Sequence, residues 1–276
     1  MVEAAALTST EGARARWLGV ATVHAAHQAS QLGLRPDALT PWLAALHLAA
    51  IGLALSRPRL AMSAVALLGV VQCAAAFPRT ATHLYLGVVV SLLLALLDPE
   101  DPLDQRLLRR SALALPLIVF AWSGVQKAVH GYWFAGQLLA WTIASRDDVA
   151  LVARPLLDDS TAAQLASFRR EVEGSGPYRL GGGWAVISNL VWLAELGSPL
   201  LAVWARAQLW WVLLLGLWTI QLVAHEWQFA LLFTNLLWCA APQRAQPIGR
   251  ALTLAALAVL VVARAAGLGL MPQGIS

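Results

Sequence analysis

The sequence predicts an all-α polytopic membrane bundle. Three observations carry that reading. Charged residues make up 12% of the 276-residue chain, hydrophobic residues 59%, and the mean hydropathy is +0.66; soluble domains carry roughly 25% charged residues. Apolar runs reach membrane length and lack the period-two alternation of a transmembrane β-strand. The 13 tryptophans suit interface anchoring and bundle packing. The net charge of +4 and pI of 9.7 do not point to nucleic acid, because the arginines are scattered between apolar runs as topology determinants.

Met1–Gly12 is polar and acidic, and Arg14 and Arg16 follow it. It lacks the basic start and small-residue cleavage site of a secretory signal, so the first span is expected to be retained. Trp17–Leu32 is the least apolar span. At about 100° per residue its His24, His27, Gln28 and Gln31 share one face, which must look into the bundle or lie at the surface. Gly33 and Pro36 end it. Trp42–Leu55 follows, broken by Ser56-Arg-Pro-Arg59. Leu60–Phe77 ends at Pro78, and His83–Leu97 ends at an acidic, proline-broken loop, Asp98–Asp104. Arg106, Arg109 and Arg110 precede the fifth span, Ser111–His130.

One long polar insertion, about 132–183, comes next. Its Phe134–Ile143 stretch suits the membrane surface. Ser160–Glu173 reads as a polar helix, with Ser160 or Thr161 as cap and Gly174 as stop. Gly174–Gly183 reads as a hinge; Gly181-Gly-Gly183 has neither the lysine nor the preceding strand of a phosphate loop. Trp184–Trp204, interrupted at Gly197-Ser-Pro199, then Leu209–Val223, Trp227–Ala241 and Arg250–Leu268 complete about eight or nine spans. The count depends on whether Trp17–Leu32 crosses or lies in the interface. No internal repeat or second domain is evident. Cys73 and Cys239 fall inside apolar runs and read as small buried residues.

Arginine placement orients the bundle. With the N-terminus in the cytoplasm of an inner-membrane protein, the inner loops hold Arg14, Arg16, Arg57, Arg59, Arg106, Arg109, Arg110, Arg206, Arg244 and Arg250. The short outer loops hold only Arg35 and Arg79, as the positive-inside rule requires. His83, Lys127, His130, His225 and Glu226 then fall at outer helix ends, and Glu195 lies near mid-span.

Lys127 is the sole lysine in the chain. An amine near the end of a membrane-length helix costs on the order of 3 kcal/mol unless it reaches water, so it is either a snorkelling side chain or a functional group. Burial eases loss of its proton, and a neutral lysine is a competent base. Glu195 is costly in mid-membrane unless protonated or paired, either with a histidine of the first span or with Lys127 if the helices are staggered. For His24 and His27 an interhelical hydrogen bond is the plainer reading, since two histidines without a third ligand are a weak metal signal. For His225-Glu226 it is an interfacial cap, and His47 reads as structural.

Ser123-Gly-Val-Gln-Lys127, followed by Tyr132-Trp-Phe-Ala-Gly136, resembles the signature of the HTTM family, the membrane domain shared with vitamin K-dependent γ-glutamyl carboxylase. His83-Leu-Tyr-Leu-Gly87, the Gly52…Arg57 end of span two and the Glu195…Pro199 element are similar to matching parts of that domain. The resemblance covers roughly 17–241. It implies a reduced quinone as cofactor, with O2 and CO2 as co-substrates and no metal. It implies Lys127 as the base that deprotonates the quinol and His83 as support for the anion formed. Glu195, His24, His27, His130, Trp133 and His225 would line the pocket on the outer face. Two features depart from the pattern. Gln126 stands where the carboxylase has a second lysine, and no large extracytoplasmic domain follows the last span. A peptide substrate would therefore need a partner subunit. The Gly124-x-x-Lys127 helix with Glu195-Leu-Gly-Ser-Pro199 also resembles DoxX-like quinone-linked redox subunits. A proton-coupled transport or binding protein is the third alternative; it would use Glu195 and the histidines but lacks paired broken helices.

Overall fold

The computed structural model describes residues 2–32, 40–54, 56–76, 82–131, 133–145, 149–150, 153–170, 182–204, 208–224, 227–242 and 244–266. Among these the chain is all-helical. Its α-helices are α1 (Val2–Leu32), α2 (Thr40–Ala54), α3 (Pro58–Ala76), α4 (Thr82–Leu96), α5 (Pro102–His130), α6 (Gln137–Ser145), α7 (Asp159–Arg170), α8 (Gly182–Trp204), α9 (Leu209–Ala224), α10 (Trp227–Ala240) and α11 (Gln246–Ala265). A 3-10 turn at Arg154–Leu156 precedes α7. Segments Pro58–Ala75, Pro102–His130 and Gln246–Ala263 are long and apolar enough to cross a membrane, and shorter apolar helices accompany them. Leu67, Val70, Ile118, Leu252, Val259 and Val262 lie exposed on these three helices. So much outward apolar surface suits lipid better than water.

The chain forms two compact units, Met1–Leu113 with Trp227–Gly267, and Ala114–Glu226 with the C-terminal tail. In the first unit α1 is the hub, packing on α2, α3, α4, α10 and α11. Its polar face turns inward, and the reason is hydrogen bonding. His24 Nε2 donates to Ser91 Oγ at 2.7 Å and Gly87 O at 3.1 Å, while Ser91 itself donates to Gly87 O. His27 Nε2 donates to the Gln228 carbonyl at 2.8 Å, and Asn235 Nδ2 donates to Val20 O at 3.1 Å. In an apolar medium a polar side chain gains most by meeting a partner on a neighbouring helix. Both histidines thus serve as interhelical ties, and His47 Nδ1 donates to its own helix at Leu43 O. Cys73 and Cys239 are not joined in a disulfide.

The acidic loop is a set of caps. Asp101 Oδ1 accepts the Leu103 N–H at 2.9 Å, and Pro102 takes the first helical position, where its missing N–H costs nothing. Helix α5 therefore starts at Pro102, and Arg106, Arg109 and Arg110 ride on it instead of preceding it in a loop. Arg59 donates to the Ala95 and Leu96 carbonyls at the end of α4 and pairs with Asp98 at 3.7 Å.

In the second unit the insertion has its own small core. Leu139, Ala140, Ile143 and Ala144 pack with Val149, Ala153 and Leu165. One face of the 134–143 stretch is thus buried against α7, while Phe134 and Trp141 stay exposed. The cap of α7 is Asp158, not Ser160 or Thr161. Its carboxylate accepts from Ser160 Oγ, Thr161 N–H and Thr161 Oγ1 at 2.5, 2.8 and 2.7 Å. The expected hinge at 174–181 lies outside the described residues. Helix α8 runs unbroken through Gly197-Ser-Pro199.

The donors on Ser160 and Thr161 hold the Asp158 carboxylate well below the usual range. A depressed folded value means the carboxylate's stabilising contribution is complete above about pH 4, the unfolded aspartate value, and is lost as pH falls from there through the lower folded value. Asp158→Ala at neutral pH should speed amide exchange over residues 159–162 several-fold. Exchange mass spectrometry reads this, and unchanged protection in the variant would refute the cap.

Candidate functional site

Helices α5 and α8 meet at a glycine. A Cβ on Gly124 would lie 2.5 Å from the Leu196 amide nitrogen and 2.8 Å from its Cα. Only hydrogen fits there, so the two backbones touch, as small residues permit in membrane helix pairs. Lys127 stands three residues on, on the same face. Glu195 adjoins Leu196. The close approach therefore brings the sole lysine onto the buried carboxylate. Lys127 Nζ lies 2.5 Å from both Oε1 and Oε2 of Glu195. Glu195 is 4% exposed and the Lys127 side chain 16%.

A second face of the amine meets an aromatic ring. Nζ sits 4.4 Å from the Trp133 ring centroid, a cation–π geometry. The turn that carries Trp133 is built by glycine. Gly131 and Gly136 take φ of +71° and +65°, the left-handed region in which a side chain is strained. Gly131 N–H closes α5 on Lys127 O at 3.1 Å, and Ala140 N–H opens α6 on Gly136 O at 2.9 Å.

Helix α8 latches this turn from the side. Ser188 Oγ donates to Trp133 O at 2.8 Å, and Asn189 Nδ2 donates to Phe134 O at 2.9 Å. Trp192 Nε1 donates to Asn189 Oδ1 at 2.9 Å, and its ring meets Phe134 edge-on at 5.4 Å. Ser188, Asn189, Trp192 and Glu195 recur at three- and four-residue spacing along one helix face. That spacing is the signal in the sequence for these positioning residues, which the sequence analysis passed over. Ser198, one turn beyond Glu195, is 3% exposed, and its Oγ has no hydrogen-bond partner among the described residues. Pro199 has no N–H to give the Glu195 carbonyl four residues back.

The structure thus brings together Lys127, Glu195 and Trp133 of the expected residues. His130 closes α5 and is exposed. His24 and His27 belong to the first unit. His83 lies in the first turn of α4, also in the first unit, with its side chain outside the described residues, as is all of His225. No group of three His, Cys, Asp or Glu side chains able to hold a metal occurs among the described residues. Chemically the cluster is a charge-compensated amine–carboxylate pair with an aromatic wall and one unmet hydroxyl. Compared with protein-family models, curated proteins and solved structures, the chain matches none.

Removing one partner strands the other's charge in a poorly hydrated site and should lower stability by about 3–5 kcal/mol. We expect Lys127→Met and Glu195→Leu each to be strongly destabilised in detergent or nanodisc unfolding. The double variant should recover most of the loss, and additive losses would rule out the pair. Gly124→Ala should cost about 1–3 kcal/mol by forcing the helices apart.

Proposed function

We propose that the protein is an integral membrane enzyme of the HTTM type, a bundle of about eight or nine spans with a cytoplasmic N-terminus and an outer-face site. The proposed activity is quinol-dependent, with Lys127 as the base. The observation that carries this reading is the pairing of Lys127 with Glu195 under Trp133. It joins the two motif elements on which the resemblance rests, Ser123–Lys127 and Glu195–Pro199. The residues fit an aromatic diol. Trp133 supplies an aromatic wall beside the amine, and the Ser198 hydroxyl has no hydrogen-bond partner among the described residues.

A reduced quinone would supply an acidic hydroxyl and, with O2, the oxidising chemistry. The chain's part is proton handling. Glu195 takes the shared proton of the pair, which frees the lone pair of Lys127 Nζ. That nitrogen would be the group to accept a hydroxyl proton, which would leave an ammonium held by Glu195 and Trp133. Charge is conserved, and the positive group is already in place where negative charge develops. The Trp133 ring shields the couple from water. A supporting role for His83 rests on the resemblance alone.

A DoxX-like redox subunit is the second reading, favoured by the same observation, because the pair joins the two elements of that resemblance as well. A partner oxidoreductase that co-purifies with the protein would select it.

The test is turnover of a reduced naphthoquinone with O2 by purified protein in nanodiscs. Lys127→Ala should lower the rate by roughly 100-fold or more, the usual worth of a positioned base. Equal turnover in wild type and variant would reject the assignment.

A further inference from the structure

A second cluster of charges lies in the first unit, one of them buried and one half-buried, and nothing so far explains it. Arg16 of α1, Arg109 of α5 and Arg250 of α11 line a small cleft with a free volume of about 10 Å³, room for one water-sized group, with Gln105, Cys239 and Gln246 completing its wall. Arg250 is 9% exposed and Gln246 1%. Arg250 Nη2 donates to Gln246 Oε1 at 3.1 Å, and Gln246 Nε2 is tied to Ala241 O at 2.8 Å. The Nε atoms of Arg250 and Arg16 are buried and have no hydrogen-bond partner among the described residues.

Glycine makes room for this arrangement too. A Cβ on Gly19 would lie 2.5 Å from Arg250 Nη1 and 2.9 Å from its Cδ and Cζ. The Arg250 side chain therefore lies across the α1 backbone, held in place by Gln246 at its far side. Among the described residues the salt bridges are Arg14–Glu100, Arg59–Asp98 and Lys127–Glu195. None serves these three guanidiniums. Burial and the nearby charge of Arg109 pull Arg16 below its ordinary pKa, as expected of a cation crowded by another without a counter-ion.

Like charges gathered in a half-dry cavity are unfavourable unless an anion completes them. Guanidinium groups present paired N–H donors that match phosphate oxygens, and they are preferred over ammonium for that reason. From this cluster we infer that Arg16, Arg109 and Arg250 form a binding site for a phosphate-class oxyanion. The ligand is either a phospholipid headgroup or free phosphate. Arg109 is exposed, so it is the arm whose side chain would have to turn aside for an anion larger than the cleft. Arg250 and Arg16 form the fixed part. The inference does not depend on the quinol reading, since it concerns other residues and no reaction.

The test uses the full-length protein in two arms, with thermal unfolding as the readout. The first titrates inorganic phosphate against chloride at constant ionic strength, in zwitterionic detergent micelles. The second compares phosphatidylcholine nanodiscs with and without phosphatidic acid. A phosphate-specific rise in Tm identifies a free anion as ligand, and a rise with phosphatidic acid alone identifies the headgroup. Arg109→Gln, at an exposed position that should leave folding intact, should weaken the apparent affinity about tenfold, the loss of one charge-assisted contact. Arg250→Gln should abolish the shift; if that variant does not fold, Arg109→Gln decides. No shift in either arm, or an equal shift in Arg109→Gln, overturns the site.

Discussion

The second unit is organised by one interaction, an ammonium and a carboxylate that must find each other because little else can solvate them. In a poorly hydrated helix contact, bringing two ions together is costly and leaving either alone is costlier. The local design follows from that constraint. Gly124 removes the Cβ that would keep α5 off α8. Lys127, one turn later, then reaches Glu195 at 2.5 Å. Two glycines with positive φ reverse the chain so that Trp133 covers the remaining face of the amine. Each feature has a plain local cause, and together they make a charge-compensated couple.

The first unit solves a related problem differently. Helix α1 carries histidines and glutamines that no lipid-facing helix would tolerate, and it becomes the hub on which five other helices pack. His24 and His27 spend their Nε2 hydrogens on carbonyls and a hydroxyl of neighbouring helices. At Gly87, as at Gly19, a missing side chain lets a polar one through, here Gln28.

Much of this was legible from the residues, and the failures have physical reasons. Helical class and membrane character followed from composition. Lys127 and Glu195 stood out because charge inside an apolar run is expensive, but their pairing required the stagger of two helices, which no single helix encodes. The inward turn of α1 was one of two readings, and interhelical hydrogen bonds decided it. Asp101-Pro102 carried a helix-start signal that was read as loop, so α5 begins earlier than expected and takes its arginines with it. Asp158 was missed as a cap because two hydroxyl residues follow it; they donate to the carboxylate instead of capping. Ser188, Asn189 and Trp192 gave no signal of their own because their partners are the main-chain carbonyls of a distant turn or each other, and a sequence pattern does not register carbonyls.

That last feature shapes how the protein can vary. The α8 latch grips the turn through the carbonyls of residues 133 and 134, and a carbonyl is the same whatever side chain hangs beside it. Mutational drift at Phe134 therefore leaves those two hydrogen bonds available, whereas Ser188 and Asn189 have few replacements with the same reach. Tolerance in this region should be lopsided, generous along the loop and narrow along the helix that holds it.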